Sequence, residues 1–251
     1  VAEQQKRIAV VTGVGHPKGI GAAVCRKLAS QGVDIFFTHW ESNFDFPSKF
    51  QTELVDMGVQ CEFIEVDLSE REAYKVVLSA VIKKIGKPNI LINNAAHSTD
   101  SDYMALTEKI LDDHYYVNVR TTCLLCTEFA RQFQKSESKN GRIVNLVSGQ
   151  GLGPMPKELA YVATKGAISA FSVSLSSDLA RLGITVNAVN PGPTDTTWMT
   201  DGIRQHLLPQ FPAGRIGQPE DAANIIAFLA SEEAEWITGQ IINSEGGFLR
   251  G

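Results

Sequence analysis

The sequence predicts an α/β fold: one domain on a doubly wound parallel sheet of about seven strands, with helices on both faces. Three observations carry this. Short apolar runs rich in β-branched residues alternate with helix-length segments along the whole 251-residue chain. Such alternation places a helical crossover between successive parallel strands. Several runs, I-A-V-V and I-L-I-N among them, are apolar at consecutive positions, as strands buried on both faces are. No linker, repeat or low-complexity stretch interrupts the alternation, so residues 1–251 read as one domain.

The elements follow in order. Residues 7–12 form an apolar strand, then a Gly-rich turn leads into a helix over about 19–31. A second strand covers 33–38 and a helix 46–57. The third strand, 60–66, leads to a helix at 69–85 capped by Ser69. Residues 89–93 are a short buried strand, and a long helical stretch runs from about 107 to 135, broken near its start. A fifth strand at 142–147 precedes a helix at 158–182, which Gly183 closes. A sixth strand at 184–190, a helix at 219–230 and a short strand at 240–243 complete the chain. The least regular stretch is 190–218, where prolines and glycines exclude a long helix at both ends. Trp198, Met199, Leu207, Leu208 and Phe211 give it apolar surface. A long irregular segment in a compact domain reads as a substrate lid, at about 194–214; the alternative is a loop whose aromatics pack on the body.

Composition bounds the function. With 43% apolar and 20% charged residues the chain can build a substantial core. A net charge of −5 without a basic patch speaks against nucleic acid. No apolar run approaches the roughly 20 residues that span a bilayer, and V-A-E-Q-Q-K-R lacks the apolar segment of a secretory signal. No membrane association is expected, and the cytoplasm is the expected location. Cys25, Cys61, Cys123 and Cys126 then read as free thiols. Cys123 and Cys126 form a C-x-x-C inside T-T-C-L-L-C-T-E-F, the apolar face of a helix, which gives them a packing role and no metal site.

The chemistry centres on Y-V-A-T-K. Tyr161 and Lys165 are four residues apart, on one face of the helix predicted there. An ammonium beside a phenol favours the phenolate, so the spacing predicts a Tyr161 pKa below the usual value near 10. Ser148, thirteen residues upstream at the end of R-I-V-N-L-V, can hold the same substrate oxygen. After the first strand comes T-G-V-G-H-P-K-G-I-G, ending in a helix. Glycines there let the backbone approach a pyrophosphate, and the helix N-terminus favours its charge.

With these motifs in order, the chain resembles the short-chain dehydrogenase/reductase family nearly end to end, and most closely its 3-oxoacyl-[acyl-carrier-protein] reductase group. Thr12, Gly13, Gly19 and Gly21 match T-G-x-x-x-G-x-G with two extra residues in the loop. N-N-A-A at 93–96 matches N-N-A-G, with Ala96 for glycine. Asn118, Ser148, Tyr161 and Lys165 match the catalytic tetrad, and Pro191, Gly192 and Thr196 the P-G-x-x-x-T that closes over the nicotinamide. The resemblance implies a single-domain Rossmann fold and hydride transfer between a nicotinamide cofactor and a carbonyl or secondary alcohol. It makes Tyr161 the general acid or base, and Ser148 the group that polarises the carbonyl. Lys165 would depress the phenol and bond the ribose, and Asn118 would hold a relay water. It places Gly13, Lys18, Gly19, Ile20, Gly21, Thr38, His39, Asp67, Leu68, Asn94, Ala95, Ala96, Pro191, Gly192, Thr194 and Thr196, with Tyr161 and Lys165, around the cofactor. The enlarged Gly loop has the length of the family's enoyl-reductase branch, but that branch spaces its Tyr and Lys seven apart. The spacing of four here favours carbonyl chemistry.

An acid at the end of strand two would select NAD; Thr38 or His39 stands there, and Lys18 precedes Gly19, so NADP(H) is favoured while NAD(H) stays open. Gln150 and Trp198 join Ser148 and Tyr161 as candidate substrate contacts, with His97, Met199 and Phe211 nearby. Lys139, Arg142, Arg120 and Arg131 are the candidates for docking an acyl-carrier protein, a partner that the acidic net charge and Leu182 before Gly183 weigh against. A small free ketone, sugar or xenobiotic is the alternative substrate, and an NAD-dependent alcohol or sugar dehydrogenase the alternative activity. A cofactor sensor without catalysis would have lost Ser, Tyr or Lys. The family also implies a homotetramer pairing the helices around 107–135 and 158–182, where Ala163, Gly166, Ala167, Ala170 and Ser174 permit close approach.

Overall fold

The computed structural model describes residues 6–43, 45–136 and 138–249. Most of the N-terminal segment weighed above as a signal (residues 1–5) therefore lies outside the described residues. Among the described residues seven strands form one parallel sheet: β1 (Ile8–Val11), β2 (Asp34–His39), β3 (Cys61–Glu65), β4 (Ile90–Asn93), β5 (Gly141–Leu146), β6 (Ile184–Asn190) and β7 (Ile241–Asn243). Their order is β3-β2-β1-β4-β5-β6-β7. The chain winds outward from β1 to β3, then returns to the other side of β1 at β4. The crevice beyond the C-terminal ends of β1 and β4 is the topological switch point, where such sheets bind ligands.

Among the described residues eight α-helices connect the strands: α1 (Ile20–Ala29), α2 (Phe46–Asp56), α3 (Ala73–Lys84), α4 (Glu108–His114), α5 (Thr122–Gln134), α6 (Leu159–Leu179), α7 (Asp201–Leu207) and α8 (Pro219–Leu229). Alternate strand residues divide between two cores. Ala9, Val11, Ile35, Phe37, Ile92 and Val144 face α1, α2 and α8 through Leu28, Phe50, Leu54 and Ile226. Val10, Phe36, Leu91, Ile143 and Val186 face α3, α5 and α6 through Val77, Val81, Phe129 and Leu175. Burial on both faces is what the consecutive apolar runs required.

One local expectation is corrected and two are made specific. Ser69 caps no helix: its backbone N–H bonds the Asp67 carboxylate at 2.7 Å, and the helix begins at Ala73. A short acidic side chain that bonds two residues ahead stabilises a turn in place of a helix. The break in the long helix is a π-helical segment, Tyr115–Thr121, between α4 and α5. The irregular stretch contains α7, whose N-terminus Thr200 caps by accepting from Ile203 N–H at 3.3 Å.

Candidate active site

The Gly-rich turn is shaped by close packing against β4. Gly13 has φ +73°, and a Cβ there would lie 2.5 Å from Ala95 Cα. A Cβ on Gly21 would lie 2.7 Å from Asn94 Nδ2. That Nδ2 donates to Thr12 O and Gly13 O, both at 2.9 Å, while Thr12 Oγ1 accepts from the N–H of Asn94 and Ala95 at 3.1 Å. The N-N-A-A segment thereby locks the turn. At the start of α1 the N-cap Gly19 offers no side-chain cap and the first turn holds no acid. Its free N–H groups fit a pyrophosphate.

Beside the turn opens a cleft of about 550 Å³. Of the expected cofactor residues, Gly13, Thr38, His39, Asp67, Leu68, Asn94, Ala95 and Ala96 line it. Trp40, Val66, Asp113 and Val117 line it too, and none of them belongs to a motif. Thr38 and His39 end β2, with His39 Nδ1 2.9 Å from Ser42 Oγ and 3.9 Å from Glu65 Oε1. Burial lowers the His39 pKa, against the pull of Glu65. Lys18 is exposed on the turn and does not line the cleft. Pro191, Gly192, Thr194 and Thr196 follow β6: Gly192 (φ +63°) packs on Glu245, and Thr194 Oγ1 bonds the carbonyls of Pro191 and Gly192 at 3.2 Å.

The four tetrad residues come from two helical elements and a strand end. Asn118 sits in the π segment, buried, accepting from His97 N–H at 2.7 Å and donating to His97 O at 2.8 Å and Thr164 Oγ1 at 3.0 Å. Thr164 in turn donates to Tyr161 O at 2.7 Å, so Asn118 ties the N-N-A-A-H loop to the turn of α6 that carries the tyrosine. Both amide hydrogens of Asn118 are used, and Oδ1 keeps a second lone pair. Ser148 follows β5, its hydroxyl 3.7 Å from Met155 Sδ. Lys165 is buried, donates to Leu146 O at 2.7 Å, and lies 5.4 Å from the centroid of the Tyr161 ring.

The expected depression of the Tyr161 phenol is corrected. Burial pushes it up to about 12, the Glu158 carboxylate adds to the rise, and a hydrogen bond with Ser148 opposes it. Burial also lowers Lys165 to about 8. Glu158 and Met155 are thus part of this centre, and neither drew notice in the sequence. Gln150 bonds Ser148 N–H at 3.2 Å and Ser169 Oγ at 2.9 Å, which engages both ends of its amide. Trp198 is half exposed and donates to Thr194 O at 2.9 Å, while Met199 and Phe211 are buried. His97 lines the cleft, edge-to-face with the buried His114 at 4.7 Å. Among the described residues no His, Cys, Asp or Glu cluster could hold a metal, and no helix is long and apolar enough to cross a membrane.

Comparison with known proteins identifies the class. Residues 13–249 match the family described as Enoyl-(Acyl carrier protein) reductase. The chain is 61% identical over 251 residues, all of both chains, to the "Uncharacterized oxidoreductase YjdA" of Bacillus subtilis (strain 168). It is 33% identical over 242 residues, 95% of this chain and 96% of the other, to 3-oxoacyl-[acyl-carrier-protein] reductase FabG of Staphylococcus aureus. Acetoin dehydrogenase YohF from Salmonella typhimurium superposes with a TM-score of 0.87 at 30% identity, over 97% of this chain and 96% of that one. A blue fluorescent protein from a metagenomic library, in complex with NADPH, gives a TM-score of 0.89 at 28% identity over 97% and 98%. The chain belongs to the short-chain dehydrogenase/reductase family. It is an NAD(P)-dependent oxidoreductase that acts on CH–OH and carbonyl groups.

Proposed function

We propose that the chain reduces the carbonyl of a small free ketone with NADPH, and that Asn118, Ser148, Tyr161 and Lys165 carry the reaction. The observation that carries this reading is the grouping of Tyr161 with Ser148 and with Lys165, whose ammonium lies 5.4 Å from the centroid of its ring, and the phenol, pushed up to about 12, stays protonated at neutral pH. A neutral phenol is a proton donor at pH 7. When bound, the nicotinamide supplies the hydride to the carbonyl carbon. Tyr161 gives its proton to the carbonyl oxygen, and Ser148 hydrogen-bonds the same oxygen as charge develops on it. Lys165 places its cation over the ring of the phenolate so formed, and Asn118 positions the turn that holds Tyr161. The turn at Gly13–Gly21 and the first N–H groups of α1 would hold the pyrophosphate, with Asp67 and Leu68 at the adenine end. The spacing of four between Tyr161 and Lys165 supports carbonyl over enoyl reduction.

The proposed substrate is free and small, and acetoin-sized ketones fit the likeness to acetoin dehydrogenases. Two of the basic residues considered for carrier docking are not available. Arg142 is buried, and Arg120 bonds Ser69 O beneath Tyr116. Reduction of a 3-oxoacyl thioester is therefore the weaker reading. An NAD-dependent alcohol or sugar dehydrogenase is favoured by one observation: no Lys or Arg is among the described residues lining the cleft, whereas Asp67 and Asp113 are. Lys18 at the mouth of the turn supports NADPH. A purified sample assayed with NADPH and NADH against a panel of ketones, diketones and 3-oxoacyl thioesters decides. NADPH-dependent loss of a small ketone is expected, and equal efficiency with NADH overturns the cofactor preference. Stoichiometric NADPH binding without turnover on any carbonyl would leave a sensor.

Homotetramer formation is part of the proposal. Ala163, Ala167, Ala170 and Ser174 make one exposed stripe along α6, and Leu111, Tyr115 and Val173 are exposed large apolar residues of the same helical layer. Sedimentation showing a monomer removes the claim.

A further inference from the structure

At the N-terminal ends of β1, β4 and β5, on the opposite edge of the sheet from the cleft, two guanidinium groups converge. Arg7 donates from Nη2 to Ala230 O at 2.6 Å. Arg142 donates from Nε to Ser231 O and from Nη1 to Gly141 O, both at 2.9 Å. Together they satisfy carbonyls at the C-terminal end of α8, which have no partner within the helix. Arg142 is only 3% exposed, and its remaining nitrogen, Nη2, is buried with no hydrogen-bond partner.

The charges are also unbalanced at close range. Burial disfavours both cations, and Arg7 further disfavours Arg142. Glu232 and Glu235 offset this only at a distance, because no ion pair joins either guanidinium to a carboxylate among the described residues. Between the two groups lies a cavity of about 20 Å³, bounded by Arg7, Asn89, Asn140, Arg142, Ser231 and Glu232. That is room for one small, water-sized ligand. Guanidinium groups only donate, so the ligand must accept, and two adjacent cations select an anion over a neutral water.

We propose that this cavity is a halide site, in which a single chloride ion bridges Arg7 and Arg142 and accepts from the unpartnered Nη2. The ion fastens the last turn of α8 to β1 and β5. It sits apart from the cofactor cleft, so it acts on stability and leaves turnover alone.

The test is thermal unfolding of the whole chain in sodium chloride, sodium bromide and sodium gluconate at equal ionic strength and pH. The halides should raise Tm saturably over gluconate, by on the order of 2–4 °C. Arg7→Gln should erase that difference with turnover unchanged, and a bromide-soaked crystal should show an anomalous peak between the two guanidinium groups. Superimposable melting curves for the wild type, or no bromide peak there, overturns the proposal. So does a Glu232→Gln variant that loses stability while halides have no effect, since Glu232 would then be the partner. Should Arg7→Gln fail to fold, the wild-type halide series and the bromide map decide between them.

Discussion

The Lys165 ammonium lies 5.4 Å from the centroid of the Tyr161 ring and donates to the Leu146 carbonyl at 2.7 Å. The lysine is therefore held by the end of β5 and meets the tyrosine over its ring. Burial dominates both groups, raising the phenol to about 12 and lowering the ammonium to about 8. The pair rests as a neutral phenol beside a lysine that titrates just above neutrality.

This sets a pH dependence for turnover. The kcat/KM for ketone reduction should be level from about pH 6 to 7 and fall above about 8, as Lys165 loses its charge. Lys165→Arg keeps the charge and should move the fall to higher pH. A wild-type rate that rises with pH through this range would mean that the phenolate is the working form.

The same lysine should be visible in stability. Its folded pKa of about 8 lies below the ordinary 10.5, so between those values the unfolded chain binds more protons and stability rises with pH. The gain across the window is at most roughly 3 kcal/mol. The thiols of Cys25, Cys61, Cys123 and Cys126 are all raised and act in the opposite sense above about pH 9. The quantity to measure is therefore the difference between the wild type and Lys165→Met in chemical unfolding at pH 7.5 to 10.5. It should grow in favour of the wild type, and parallel curves would contradict the burial of a titrating lysine.

Gly21→Ala places a Cβ 2.7 Å from Asn94 Nδ2 and 3.0 Å from Gly13 O, where the N-N-A-A segment holds the turn. Cofactor affinity should fall at least about 10-fold, with a stability loss of about 1–3 kcal/mol. Fluorescence titration with NADPH and a denaturant melt check both, and wild-type affinity would remove the turn from the cofactor site.

Lys18 is exposed, so Lys18→Ala should leave the fold intact. Loss of a charged contact to a 2′-phosphate should weaken NADPH by about 10-fold and leave NADH unchanged. Equal effects on the two cofactors, measured by titration, would mean that Lys18 does not read the phosphate.

The sheet was legible because its strands are buried on both faces: Val10, Phe36 and Leu91 feed one core while Val11, Phe37 and Ile92 feed the other. Hydrogen-bond partners that lie far along the chain were not legible. Asn118 acts through His97 and Thr164, and the π segment that aims it has no sequence signal. Arg142 looks like surface charge in R-I-V-N-L-V, yet it lies under the end of α8, bonded to Ser231. Tyr161 and Lys165 were legible as a pair on one helix face. The direction of their titration was not, because burial and Glu158 act from outside the motif.

The central claim is that Tyr161 delivers the proton. The most direct measurement is turnover of Tyr161→Phe with NADPH and a ketone accepted by the wild type, alongside NADPH binding by fluorescence. The ring and its packing are kept and only the hydroxyl is lost. NADPH affinity should stay within about 3-fold while kcat falls by about 10²–10⁴-fold. Turnover retained near the wild-type rate, with cofactor bound, would contradict it.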